Sequence, residues 1–154
     1  MKFADFADRA AAIEAVSADT AVVDRLVDLF VAVDEDLPVV TRFVQGRIFP
    51  AWQSRTLDVG PSLCHEAIAR AAGPNVTSED VETRLADYGE IGAVAASYDF
   101  GGQRGLAAFG SGDEDALSVA DVATRLDELA SAAGAGSRDR KRDALFGLFT
   151  RSDP

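Results

Sequence analysis

The chain holds one histidine and one cysteine, and they stand side by side in Cys64-His65-Glu66. Adjacent residues of a helix point in different directions, so this trio does not form a catalytic relay or a metal site by itself. The glycine-rich segment 101–112 lacks the Lys and Ser/Thr of a phosphate-binding loop, and Asp113-Glu114-Asp115 lacks calcium-loop spacing. No nucleophile is paired with a base. We therefore predict neither a catalytic residue nor a metal site in this chain.

An anion-binding geometry is better supported. Residues 43–73 join a helix end to a helix start through a long turn that holds the chain's only Trp. Apolar residues then return at helical spacing, with Gly60 or Ser62 as the N-cap and Gly73 as the stop. Exposed backbone N–H groups at a helix start attract anions, and Arg47 and Arg55 flank this start.

Two further loops, 88–92 and 134–137, also place Gly or Ser at a predicted helix start. Such starts can donate backbone N–H groups to phosphates. The last of them is followed by a short basic run. The cationic residues that stand near the three starts are Arg47, Arg55, Arg138, Arg140 and Lys141.

The charge of the chain limits what it can bind. The net charge is -11 and the sequence pI is about 4.4. Asp makes up 18 of the 26 acidic residues and Arg 13 of the 15 basic ones, a balance typical of proteins from salt-accumulating halophiles. High negative charge can also simply keep a protein in solution. In either case a broad basic face for nucleic acid is excluded, and nucleic-acid binding must depend on local features.

The pattern of apolar residues predicts an all-α protein of about eight helices. A chain of 154 residues is long enough for a core and fits one domain over 1–154. Helices are expected from 3–16, after Ser17 or Asp19, after Pro38, before Gly73, after Thr77, around Val94, after Ser118 and after Ser137, and residues 99–116 are expected to form a mobile loop. Thr77 with Asp80, and Ser118 with Asp121, have capping-box spacing. One cysteine and the lack of a signal sequence indicate the cytoplasm.

In order and spacing, three segments together resemble the N-terminal DNA-binding domain of archaeal, haloarchaeal-type, ATP-dependent DNA ligases. They are 43–73, Gly89-Glu90-Ile91-Gly92-Ala93-Val94-Ala95, and Gly134 through Lys141 to Phe149. The resemblance covers essentially the whole chain. It implies a compact helical domain that grips the minor groove of nicked duplex DNA while other domains seal the nick in replication, repair and recombination.

The resemblance also implies which parts of such a ligase are elsewhere. ATP and Mg²⁺ belong to a catalytic domain with a Lys-x-Asp-Gly motif. Lys141 is followed by Arg-Asp-Ala and Lys2 by Phe-Ala-Asp, so we predict no adenylation site and no cofactor in this chain, which we interpret as C-terminally truncated. The residues that the resemblance and the helix starts together assign to DNA are Arg47, Arg55, Gly60, Gly89, Gly92, Ser137, Arg140 and Lys141.

A second partner is suggested by Gln103, Leu106 and Phe109, which match most of a sliding-clamp-binding pattern. Ligases of this type place a clamp (PCNA) motif in this domain, although position 110 is Gly here rather than a second aromatic residue. A helical protein-interaction module without DNA binding is the leading alternative function. A helix-turn-helix regulator ranks lower because no basic recognition helix is present.

Overall fold

The computed structural model of the chain describes residues 1–100 and 116–151. Within these residues there are eight helices and no named strand, with one isolated bridge between Lys2 and Ser118, so the all-α prediction is confirmed. None of these helices is long and apolar enough to span a membrane. The helices are α1 (Phe3–Glu14), α2 (Asp19–Val31), α3 (Leu37–Val44), α4 (Pro61–Ala72), α5 (Ser78–Tyr88), α6 (Ile91–Ala96), α7 (Val119–Ser131) and α8 (Ser137–Phe149).

Two helix starts form as their local sequence predicts. The Thr77 hydroxyl accepts from the Asp80 backbone N–H at 3.2 Å, and the Asp80 carboxylate accepts from the Thr77 N–H at 2.8 Å. Ser118 and Asp121 make the same reciprocal pair at 3.1 and 2.9 Å. Hydrogen bonds from the capping hydroxyl and backbone N–H hold the pKa of both carboxyls below its usual value.

Other boundaries differ from the sequence interpretation. The N-cap of α2 is Ala18, with no side-chain cap, rather than Ser17 or Asp19. Helix α8 has Gly136 as its N-cap, so Ser137 is the first helical residue and not the cap. Gly136 has φ +74°, a left-handed conformation that favours glycine, and this geometry sets the start of α8 one residue earlier. All but the ends of the loop predicted at 99–116 lies outside the described residues.

The chain divides into two compact units. The first unit comprises Met1–Thr56 and Ala116–Asp127, and the second the described parts of Leu57–Asp115 and Glu128–Pro154. Whether the two units act as the single domain expected from sequence stays a prediction. In the first unit α2 packs against α1 and α3. Its core consists of Phe6, Leu29, Val33, Val40 and Val119.

The second unit is built around α4, which packs against α5 and α8. One side of α4 joins a cluster with Val81 and Val94, and another joins a cluster with Leu129 and Leu145. A helix buried on several sides has little freedom to rotate, so its N-terminus points in a fixed direction. The buried residues of α4 are Leu63, His65, Ala67, Ile68, Ala69 and Ala71.

Candidate nucleic-acid interface

The start of α4 leaves its first-turn backbone donors uncapped. Gly60 is the N-cap in an extended conformation, Pro61 is the first helical residue, and no side chain caps the helix. Proline has no N–H and its φ suits a helix start, so the first donor of this turn is the Ser62 N–H, and the next one, of Leu63, already donates to the Gly60 carbonyl at 3.1 Å. The Ser62 hydroxyl donates instead to Glu66 at 3.4 Å, one turn along the helix.

The start of α8 is uncapped as well. Its N-cap residue Gly136 has no side chain that could accept from the first turn. Arg140 turns back toward the preceding loop, where its guanidinium donates to the carbonyls of Ala133 at 2.7 Å and Ala135 at 3.5 Å. Arg140 therefore fixes the loop that leads into α8, while its own side chain stays exposed.

Both helix starts open onto the same pocket within the second unit. The pocket has a volume of about 250 Å³. Two helix N-termini directed at one space add their partial positive charges and offer several N–H donors together, which is a geometry that suits an anion such as a phosphate. The residues that line it are Asp58, Gly60, Pro61, Ser62, Leu63, Ser137, Arg138 and Lys141.

Arg138 supplies the exposed cation of this pocket. Its guanidinium donates to the Ser62 hydroxyl at 3.1 Å and pairs with Glu66, and 59% of the side chain is exposed. From the sequence Arg138 was only a residue near a helix start. Its contact with Ser62 joins the two helix starts. The two residues lie 76 positions apart, so no local sequence pattern predicts that contact.

Lys141 faces the interior. It is 4% exposed, and its ammonium donates to the carbonyls of Leu57 at 2.9 Å and Asp58 at 3.1 Å and to the Asp58 carboxylate at 3.3 Å. Asp58 has φ +50°, a left-handed conformation that glycine, asparagine and aspartate adopt more readily than other residues. Lys141 thus stabilises the unusual turn that leads into Gly60, so in this structure it positions the pocket.

Arg47 and Arg55 belong to the first unit, whereas the pocket belongs to the second. Arg47 is exposed. Arg55 lies over the Phe49 ring at 4.7 Å, pairs with the Asp127 carboxylate and donates to the Asp127 carbonyl at 3.2 Å. Arg55 therefore connects its turn to α7 through contacts within the protein.

Gly89 and Gly92 surround the start of α6. Gly89 ends α5 with φ +79° and its N–H donates to the Leu85 carbonyl, so the turn itself favours glycine there. Gly92 is exposed, and a Cβ there would meet only the Glu90 side chain at 3.5 Å. Helix α6 has six residues and its N-cap Glu90 makes no capping bond. A DNA contact at either glycine stays a prediction.

The adjacent Cys64 and His65 differ in exposure. His65 is buried and Cys64 is half-buried. Burial raises the pKa of the Cys64 thiol, so the thiolate is disfavoured. The residues of the clamp pattern, Gln103, Leu106 and Phe109, lie outside the described part of the chain.

Comparison with known proteins identifies the family of this chain. Residues 2–154 match the family model described as DNA ligase N terminus. The chain is 68% identical over 154 residues to a DNA ligase of Haloferax volcanii, covering 100% of this chain and 26% of that protein. It is 63% identical over 153 residues to a DNA ligase of Haloarcula marismortui, covering 98% and 28% of the two chains.

A more distant relative extends the likeness beyond the haloarchaea. DNA ligase 2 of Methanosarcina mazei is 34% identical over 155 residues, covering 99% of this chain and 27% of that protein. The chain spans about a quarter of the length of these curated relatives. On the match over residues 2–154, the chain belongs to the DNA ligase N-terminal domain family.

Proposed function

We propose that this chain binds duplex DNA without sequence preference, as the N-terminal domain of an ATP-dependent DNA ligase that seals nicks in replication, repair and recombination. The observation that carries the proposal is the pocket onto which α4 and α8 both open their uncapped N-termini. Family membership makes DNA the natural partner, and the pocket supplies the chemistry for its phosphates.

Phosphate contacts position a protein on a duplex and carry no sequence information. That property suits a domain that must hold DNA wherever a nick occurs. Backbone N–H donors also suit a chain of net charge -11, because they attract phosphate without the long cationic side chains that salt screens. We assign the phosphate contact to the Ser62 N–H of α4 and to the first-turn N–H groups of α8 that follow Ser137, together with the Arg138 guanidinium; the Ser137 N–H itself donates to the Gly134 carbonyl at 3.1 Å.

Nucleotide chemistry does not fit the lysines of this chain. Lys141 directs its ammonium at two carbonyls and is buried, so it does not reach a nucleotide as a nucleophile. Lys2 precedes Phe-Ala-Asp, which departs from Lys-x-Asp-Gly. ATP and Mg²⁺ are therefore proposed for other parts of a full-length ligase. This chain's residues bind and orient the duplex.

Fluorescence anisotropy across a KCl series, on two unrelated nicked duplexes, tests the proposal. The slope of log affinity against log salt should correspond to about two to four phosphates, and the two duplexes should bind alike. Arg138→Gln should weaken both duplexes equally and lower the slope by about one. Arg25→Gln on α2 removes the same charge at an exposed site and serves as the control.

A marked preference for one duplex, or equal binding by Arg138→Gln and the parent in every salt, would contradict this site. Complete absence of duplex binding would instead favour the helical protein-interaction module.

A sliding clamp is also proposed as a partner through Gln103, Leu106 and Phe109, on the sequence pattern alone.

A further inference from the structure

Residues 37–57 form the longest stretch of the chain without an acidic residue. In a protein with 26 Asp and Glu among 154 residues, these 21 positions hold three Arg and no carboxylate. The chain's only Trp, Trp52, lies in this stretch, and 83% of its surface is exposed. Trp is one of the residue types that folded proteins bury most on average, so a solvent-facing indole suggests a partner.

The turn that carries Trp52 is well anchored. It leaves α3 through Gly46, at φ +67°, and the Arg47 N–H donates back to the Arg42 carbonyl at 2.9 Å. A second hydrogen bond of 2.9 Å, from the Gln53 N–H to the Pro50 carbonyl, closes a β-turn with Trp52 at its third position. The backbone that carries Trp52 is thus held in place, which lowers the backbone entropy lost on binding.

The far end of the turn is fixed by Arg55. Its guanidinium lies over the half-buried Phe49 ring and pairs with Asp127. This pairing also compensates the Asp127 carboxylate that contacts the turn, and Arg47, which precedes Trp52 in the same turn, is exposed. Phe49 is half-buried and partly covered by Arg55, whereas 83% of the neighbouring aromatic side chain, Trp52, is exposed.

The lack of acidic residues in the sequence around Trp52 favours DNA as the partner. A protein of net charge -11 repels a polyanion over most of its surface, and a DNA contact needs a place without carboxylates. A protein partner would have no such requirement. The exposed apolar side chains of α2 provide the contrast, since Val23, Val27 and Val31 lie among Asp24 and Asp28.

We propose that Trp52 contacts DNA directly, with its indole packed against the sugar and base surface of the duplex and Arg47 directed at the adjacent phosphate. Contacts with the sugars and phosphates of a duplex carry no sequence information, as a nick-binding domain requires. This inference rests on the proposed DNA-binding function and adds a contact in the first unit that no helix N-terminus supplies.

The single Trp makes the contact measurable. In titrations of the 154-residue chain with an unlabelled nicked duplex, Trp fluorescence should change and the indole should become protected from acrylamide quenching. Trp52→Ala should weaken duplex binding about ten-fold, and Trp52→Phe should keep part of the affinity because an aromatic face remains. Val31→Ala removes a comparably exposed apolar side chain, 80% accessible, and should leave affinity unchanged.

Two outcomes overturn the inference in different ways. If anisotropy reports duplex binding while Trp52→Ala binds as tightly as the parent and the indole stays open to acrylamide, the contact is absent and the proposed function stands. If the parent shows no duplex binding, both proposals fail together. Circular dichroism of each variant confirms that folding is intact, which is expected because Trp52 is so exposed.

Discussion

The charged end of the Lys141 side chain is bound by the protein's own backbone. Its ammonium donates to the carbonyls of Leu57 and Asp58, which turn the chain into the start of α4. Lys141→Met keeps the length of the side chain and removes all of its donors. We expect a loss of about 2 kcal/mol in the free energy of unfolding, because two carbonyls lose a charged partner inside the protein. Urea unfolding at constant salt measures it.

The control for this variant is Arg25→Met, which removes one charge from an exposed site and should change stability by less than about 0.5 kcal/mol. DNA binding separates the two possible roles of Lys141. A positioning residue leaves the salt slope of the remaining binding unchanged, whereas a direct phosphate contact would lower it by about one. Unaltered stability together with a lower slope would return Lys141 to the phosphate-binding role predicted from sequence.

Lys141 also shows why parts of the site could not be predicted from the sequence. Residue type and nearness to a helix start suggested a phosphate contact. The carbonyl of Leu57 that it binds lies 84 positions earlier in the chain, and no local spacing encodes such a pairing. Arg138 does reach the pocket, but its contact with Ser62 depends on the packing of α8 against α4, which the sequence does not reveal either.

Among the helices, the features that the sequence predicted correctly depend on residues that lie close together in the chain. The capping boxes at Thr77 and Ser118 place partner side chains three residues apart, so their sequence spacing carries the whole interaction. The eight helices followed from apolar residues at helical spacing, and the uncapped starts at Gly60 and Gly136 occur at the loops that the glycines indicated. The convergence of two such starts on one pocket is tertiary and appeared only in the structure.

The cap of α7 gives a test at this scale. Ser118→Ala removes the hydroxyl that accepts from Asp121, and an N-cap of this kind typically contributes about 1 kcal/mol. Thr124→Ala, farther along the same helix, is the control: its hydroxyl only donates to the Ala120 carbonyl, so stability should hardly change. Thermal unfolding followed by circular dichroism near neutral pH compares the two variants with the parent.

The cap should also depend on pH. Hydrogen bonds from Ser118 lower the folded-state pKa of Asp121 below its ordinary value of 3.8, so the folded state binds a proton less readily than the unfolded state. The resulting stability is fully present above pH 3.8 and is lost as the pH falls through the folded-state pKa. The difference between the parent and Ser118→Ala should therefore narrow in acid, and an equally large difference at low pH would show that the carboxylate has no part in the cap.

At the scale of the whole molecule, repulsion between like charges is expected to oppose folding. The net charge is -11, and ion pairs such as those of Arg70 with Asp143 and Arg138 with Glu66 are largely exposed and contribute little. Salt weakens the repulsion because the Debye length falls from about 10 Å at 0.1 M to about 3 Å at 1 M. We therefore expect the melting temperature to rise with KCl, by about 2–4 °C for each kcal/mol of repulsion relieved.

A charge variant separates this repulsion from the general salting-out effect that salts exert on apolar surface. Asp24→Lys combined with Asp87→Lys lowers the negative charge at two exposed positions, one in each unit. It should melt higher than the parent in dilute KCl, and its melting temperature should rise less steeply as KCl is added, since less repulsion remains to be screened. If the parent and the variant gain the same number of degrees, salting-out explains the effect and the acidic surface does not create the need for salt. If the parent is at least as stable in dilute KCl as in molar KCl, the comparison with halophilic proteins does not extend to its stability.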